Sequence, residues 1–138
     1  MKKEIFNKNN MLNMDPMHDS IADNFSIKDE TLIINYHELD KGVLGPDGLP
    51  YYKFKNLSIC YKYESYCEVM VYSKNKYKSY EIEDFIKKFC VCKFESYKYY
   101  VDSFHELKLE FTIRKCKNNR PVRIEVCLDP IEIIYSWE

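Results

Sequence analysis

His105-Glu106-Leu107-Lys108-Leu109-Glu110-Phe111-Thr112-Ile113-Arg114 decides the fold class. Leu107, Leu109, Phe111 and Ile113 share one parity; Lys108, Glu110, Thr112 and Arg114 share the other. A period of two is the mark of a strand with one buried and one wet face. After Lys117-Asn118-Asn119-Arg120-Pro121 the alternation resumes with Val122, Ile124, Val126 and Leu128. After Asp129-Pro130 it resumes again with Ile131, Ile133, Tyr135 and Trp137. Strands linked by short polar breaks predict an antiparallel, β-rich domain.

Working outward, residues 21–37 predict a hairpin, with Lys28-Asp29-Glu30 as its polar turn. Residues 39–52 form a long loop holding all three glycines, with Pro46-Asp47-Gly48 as a turn. Two strands are expected at 56–63 and 67–73, joined by Glu64-Ser65-Tyr66, with Leu57, Ile59, Tyr61 and Tyr63 on one face. Asn75-Lys76-Tyr77-Lys78 reads as polar connection. Ile82, Phe85, Ile86 and Phe89 recur at helical spacing and predict one amphipathic helix over residues 80–89, N-capped by Ser79. Its acids lie in the first turns and Lys87 and Lys88 in the last, which suits the helix dipole. A strand follows at 92–101.

The expected fold is α+β and mainly β. It is one antiparallel sheet of about seven or eight strands, curled into a sandwich or half-barrel, with one helix covering a face or opening. The expected order places four strands before the helix and four after it. Residues 17–138 form a single domain, and residues 1–16, polar and rich in Asn and Met, read as a poorly ordered segment.

Composition narrows function by exclusion. At 138 residues the chain can bury a core of its own. Its net charge is −1, with acids and bases interspersed, which argues against nucleic acid as a partner. No apolar stretch resembles a signal peptide or is long enough to span a bilayer, so the expectation is a cytoplasmic protein with no membrane partner. The six cysteines (60, 67, 90, 92, 116 and 127) then read as reduced thiols and small apolar filler. Heavy use of Asn, Ile, Tyr and Lys, all with AT-rich codons, points to an AT-rich genome such as that of a low-GC bacterium.

Signatures of chemistry are weak. Gly42, Gly45 and Gly48 have neither the spacing of a dinucleotide loop nor the Lys-Ser/Thr ending of a phosphate loop. Asp40 and Asp47 lack the ligand pattern of a calcium loop. Cys90-Val91-Cys92 has one intervening residue where zinc sites use two to four, and no second close pair accompanies it. Cys60 and Cys67 are expected on neighbouring strands, and Cys127 lies on the polar parity of its own. His18, His37 and His105 lack a local nucleophile signature. The most specific local feature is His18-Asp19, a candidate polar site better explained by backbone hydrogen bonds than by catalysis. No catalytic residue, cofactor or metal is assigned.

Met17-His18-Asp19-Ser20, followed by Phe25, a polar turn and Leu32-Ile33-Ile34, resembles the opening of several small bacterial families of unknown function. Some of these are grouped with immunity proteins of toxin systems. The likeness spans about residues 16–38 and implies an interaction role without carrying over any catalytic residue.

The expected function is a non-enzymatic protein-binding module of immunity or inhibitor type, whose partner is another protein. Tyr97, Tyr99, Tyr100 and Trp137 are the candidate interface anchors, because rigid rings cover area at low entropy cost. The alternative is a carrier of a small apolar ligand inside the curled sheet. A third reading is an enzyme or metal protein using His18, Asp19, and His37 or His105. The last strand, Ile131–Trp137, is expected at an edge and would suit a homodimer seam.

Overall fold

The computed structural model describes residues 2–7, 10, 21–38, 56–89, 93–101, 106–114 and 121–138. Eight strands and one helix follow one another: β1 (Lys2–Asn7), β2 (Ile21–Lys28), β3 (Thr31–Glu38), β4 (Leu57–Ser73), β5 (Lys76–Glu81), α1 (Ile82–Phe89), β6 (Lys93–Val101), β7 (Leu107–Arg114) and β8 (Pro121–Trp137). All the strands join one sheet in the order β1-β8-β7-β6-β2-β3-β4-β5, with β4 and β8 paired in addition. Every pairing is antiparallel. This is the curled, mainly β sheet with one helix that the alternation predicts. Five strands precede the helix and three follow it, against the expected four and four. No helix among the described residues is long and apolar enough to cross a membrane.

The two 17-residue strands β4 and β8 organise the rest. They pair with each other from Ser58–Ser136 to Tyr72–Arg123. The first half of β4 also carries β3, and the last part of β8 carries β1. The second half of β4 carries β5, and the first part of β8 carries β7. Two half-sheets therefore share the same pair of long strands. They meet again where Ile21 and Ala22 of β2 pair with Glu95 and Phe94 of β6. Strands that pass from one layer to the other through a bulge are a standard way of turning such a corner.

The corner is a sequence feature. Ile131 is passed over between the pairs Lys62–Glu132 and Tyr63–Pro130. It is squeezed outward and left 38% exposed, and the inward parity of β8 changes from even to odd across it. On β4, Glu64-Ser65-Tyr66 stand opposite Asp129 alone. One residue cannot pair with three in the ladder, and the Asp129 carboxylate takes up the amides of two of them. Its oxygens accept from the Ser65 N–H at 3.0 Å and the Tyr66 N–H at 3.1 Å. Pro130, which has no N–H to offer, sits at the bend where none is needed. The breaks read from sequence as turns are thus one double bulge. Residues 56–63 and 67–73 are a single strand, and so are 122–128 and 131–137.

The inner faces of both half-sheets form one core. Tyr135, Phe111, Leu32, Ile34, Ile59, Leu107 and Ile113 are each less than 2% exposed. Helix α1 closes the core from outside the sheet. Ile82, Phe85 and Phe89 are buried, with Ile86 packed at their margin. Phe85 stacks on Phe89 at 4.8 Å and lies 6.0 Å from Phe25, which meets Phe111 edge-on at 5.1 Å. The helix begins at Ile82, because β5 takes residues up to Glu81. Ser79 is therefore a strand residue opposite Met70, and not the expected N-cap.

Residues Lys2–Asn7 also depart from expectation. They form β1 where the composition suggested poor order, because the free side of β8 supplies a ladder for them from Lys2–Trp137 to Asn7–Glu132. Phe6 is buried against Tyr135, with ring centres 5.3 Å apart. The remainder of the first 16 residues, like the glycine loop, lies outside the described residues apart from Asn10.

Both two-residue hairpins use left-handed backbone without glycine: Asp29 and Glu30 between β2 and β3, Lys74 and Asn75 between β4 and β5. Tight hairpins need this conformation at both central positions, and a residue with a Cβ adopts it at a cost. Glu30→Gly is expected to raise stability by about 0.5–1 kcal/mol, because glycine relieves the backbone at φ 57°. Chemical denaturation checks this. A loss would show that the Glu30 side chain contributes more than the relief.

Candidate functional site

The residues singled out from the sequence do not converge. His18, Asp19 and His105 lie outside the described residues, and of His37 only the backbone, in β3, is described. Tyr97, Tyr99 and Tyr100 are on β6, where Tyr99 pairs with Leu109, Tyr100 pairs with Lys108 and Tyr97 falls at a register shift. Their side chains are outside the described set. Trp137 is corrected outright: it points into the core and is 3% exposed, so it anchors the fold and no interface. The last strand is no edge either, since β1 covers one side of residues 132–137 and β4 the other. The open edge on which the expected homodimer seam rested is therefore already paired within the chain.

The cysteines are also placed differently. Cys60 and Cys67 lie on the same strand, β4. Cys67 faces inward, and burial pushes its thiol pKa up, with nearby acids and Cys127 adding to the effect. Cys127 has the outward parity yet is only 6% exposed; burial first, then Glu125, pushes its thiol up to about 12. High thiol pKa values mean few thiolates and little nucleophilicity. Among the described residues, no group of three or more His, Cys, Asp or Glu side chains could hold a metal ion.

A different site emerges at the other end of the sheet. Strand β5 is the last in the order, paired with β4 on one side only. Its five-residue run Lys76-Tyr77-Lys78-Ser79-Tyr80 splits by parity. Lys76, Lys78 and Tyr80 stand opposite Ser73, Val71 and Val69, on the face toward the core and the helix. Tyr77 stands opposite Tyr72, on the outer face.

On the inner side, Val71 and Phe89 floor a surface pocket of about 410 Å³, walled by Lys76, Lys78, Lys88 and Tyr80. Among the described residues, no carboxylate lines it. The Tyr80 ring meets Phe89 edge-on, with centres 6.1 Å apart, and Lys78 Nζ lies 5.1 Å from its centre. Lys88 Nζ is 3.2 Å from the Tyr80 hydroxyl but 5.4 Å from the ring centre, so this contact is a hydrogen bond more than a cation–π pair. That hydrogen bond, together with the charges of Lys78 and Lys88, lowers the Tyr80 pKa from its ordinary value against a smaller opposing effect of burial. Lys88 is held here by the last turn of α1, whose carboxylates Glu83 and Asp84 belong to the first turn.

On the outer side, Tyr77, Tyr72, Arg123 and Thr112 form a row across β5, β4, β8 and β7. Tyr77 is 65% exposed, with its ring 6.0 Å from that of Tyr72. Arg123 lies over the Tyr72 ring at 4.4 Å, a good cation–π distance. The Tyr72 hydroxyl donates to Met70 Sδ at 3.4 Å. The site brings together amines, the exposed Tyr77 ring and a strand edge that no other described strand pairs with.

Sequence reasoning treated 75–78 as connection because strand β5 has no buried residue to mark it. The available signal was the alternation of lysine and tyrosine. It becomes meaningful only once the hairpin register sets it beside Lys88. Comparison with family models, with curated proteins and with solved structures finds no match to this chain.

Proposed function

We propose that the chain is a non-enzymatic protein-binding module that recognises another protein through β5 and the surfaces flanking it. The observation that carries this is an unpaired edge strand, among the described residues, beside a Tyr77-Tyr72-Arg123 row in which Tyr77 and Arg123 are exposed and Tyr72 is half-buried. An open edge can accept a further strand from a partner, whose main chain supplies affinity while its side chains find pockets on either face. Tyr and Arg are the residue types that most often dominate such contacts. An inhibitor-type role, in which the module covers its partner's working surface, is the form this takes if residues 16–38 resemble bacterial families grouped with immunity proteins, as expected from the sequence.

Carriage of an apolar ligand is less well supported. It calls for an open interior, whereas rings from both half-sheets and from α1 occupy the space between them.

The test compares two baits in lysate of the cells that make the chain: the wild type and Tyr77→Ala. A stoichiometric protein held by the wild type and lost from Tyr77→Ala is the expected result, with protection from hydrogen exchange spreading over residues 72–81. A partner held equally by both baits would move the interface elsewhere. If neither bait holds a protein, the protein-binding proposal ends.

A further inference from the structure

Resting on that proposal, we infer that the segment accepted by β5 is acidic: an extended stretch of the partner, with Asp or Glu at alternate positions, laid along β5 with its carboxylates on Lys76, Lys78 and Lys88. Three observations lead there. Lys76, Lys78 and Tyr80 repeat every second residue on one face of the edge. A strand added beside β5 presents its own side chains on that face with the same period, each directly across from a β5 residue. Opposite charges placed so are favourable and like charges are not.

The second observation is the missing counter-charge. Three amines converge on one pocket, and among the described residues no carboxylate lines it. Lys88 spends one donor on the Tyr80 hydroxyl, which leaves two. The Tyr80 hydroxyl, while accepting from Lys88, can donate its own proton to an incoming carboxylate.

The third concerns what the edge rejects. A second copy of β5 pairing edge to edge would bring the lysines of one copy against those of the other. Lysines on an edge oppose that kind of self-association. The same charges that disfavour a homodimer favour an acidic stranger, which is how one edge can be both protected and selective.

The experiment uses the full chain and short peptides of alternating Glu and Thr, Gln and Thr, or Lys and Thr. Affinity is read by fluorescence anisotropy at low and high salt, and the amide exchange of residues 76–81 is read by NMR. The glutamate peptide is expected to bind about tenfold more tightly than the glutamine peptide, as three surface ion pairs would provide. The lysine peptide should not bind. Salt should weaken the glutamate complex, and the amides of Lys76–Glu81 should become protected. The double variant Lys78→Gln with Lys88→Gln should abolish the preference, while Lys62→Gln, exposed on the outer face of the other half-sheet, should leave it intact. Equal binding of the glutamate and glutamine peptides would overturn the acidic preference and leave strand addition standing. Glutamate binding without new protection in β5 would overturn strand addition, and the present inference with it. Binding of none of the peptides would overturn both.

Discussion

Phe85→Ala is expected to cost about 3–5 kcal/mol of folding stability, the range for truncating a fully buried phenylalanine. Phe85 is 0% exposed and is the central residue of the helix stripe. Its ring lies against Phe25 of β2 and Phe89 of α1, and Phe25 passes the contact on to Phe111 of β7. Alanine would leave a cavity between the helix and the sheet and remove the ring–ring contacts. Domains of this kind hold about 5–15 kcal/mol in total, so the variant would fold marginally. Because α1 carries Lys88 and Phe89, loosening it should also disperse the cationic pocket. Denaturant unfolding reads the first effect, and the chemical shifts of residues 76–81 read the second. A cost near that of a surface substitution would show that the helix is not docked as described.

Asp129→Ala should cost about 2–3 kcal/mol, because amide hydrogen bonds to a charged acceptor are worth about 1.5–3 kcal/mol each and these are partly open to water. The variant leaves the Ser65 and Tyr66 amides without their acceptor at the corner where the two half-sheets part. The pH dependence has a definite sign. Burial alone would raise the Asp129 pKa, but the hydrogen bonds from Ser65 and Tyr66 outweigh it, and the folded value falls below the ordinary 3.8. A carboxylate with a depressed folded pKa adds stability that is fully present above its unfolded value. That stability is lost as the pH falls through the folded value. The gap between wild type and Asp129→Ala should therefore be widest near neutrality and narrow below pH 3.8. A gap that stays constant into acid would mean that the charge on Asp129 does not matter there.

The corner also shows where sequence reading runs out. Glu64-Ser65-Tyr66 and Asp129-Pro130 are polar breaks between apolar runs, and such breaks are most often turns. Whether a break reverses the chain or only bends it depends on what lies across the ladder. Here two breaks lie opposite each other, and one supplies the acceptor for the other. The parity change in β8, from Leu128 to Ile133, was a trace of this. It records a residue expelled from a continuous strand, but a new strand beginning after a turn looks the same in one dimension.

Elements with a strong inward face were readable for the opposite reason. The stripe Ile82-Phe85-Phe89 and the alternation in β7 state their own burial, and neither needs a partner to be recognised. Strand β1 has only Phe6 to bury, so its existence depends on the free side of β8. Strand β5 buries nothing fully, and its lysines look like ordinary solvated charge until the fold sets Lys88 beside them. The aromatic residues that composition made prominent were divided in the same way. Trp137 was claimed by the core because its parity follows Ile133 and Tyr135, while Tyr77 was left at the surface.

Strand β8 pairs with β1, β4 and β7, and it is made after all of them. During synthesis everything before Pro121 is made while one side of β4, from Ser58 to Tyr72, has no strand to pair with it. Pairings this remote along a chain form slowly, and an uncovered apolar strand is then exposed to adventitious pairing with other nascent chains. Yield in the cell should therefore depend on how quickly the 17-residue strand β8 is delivered.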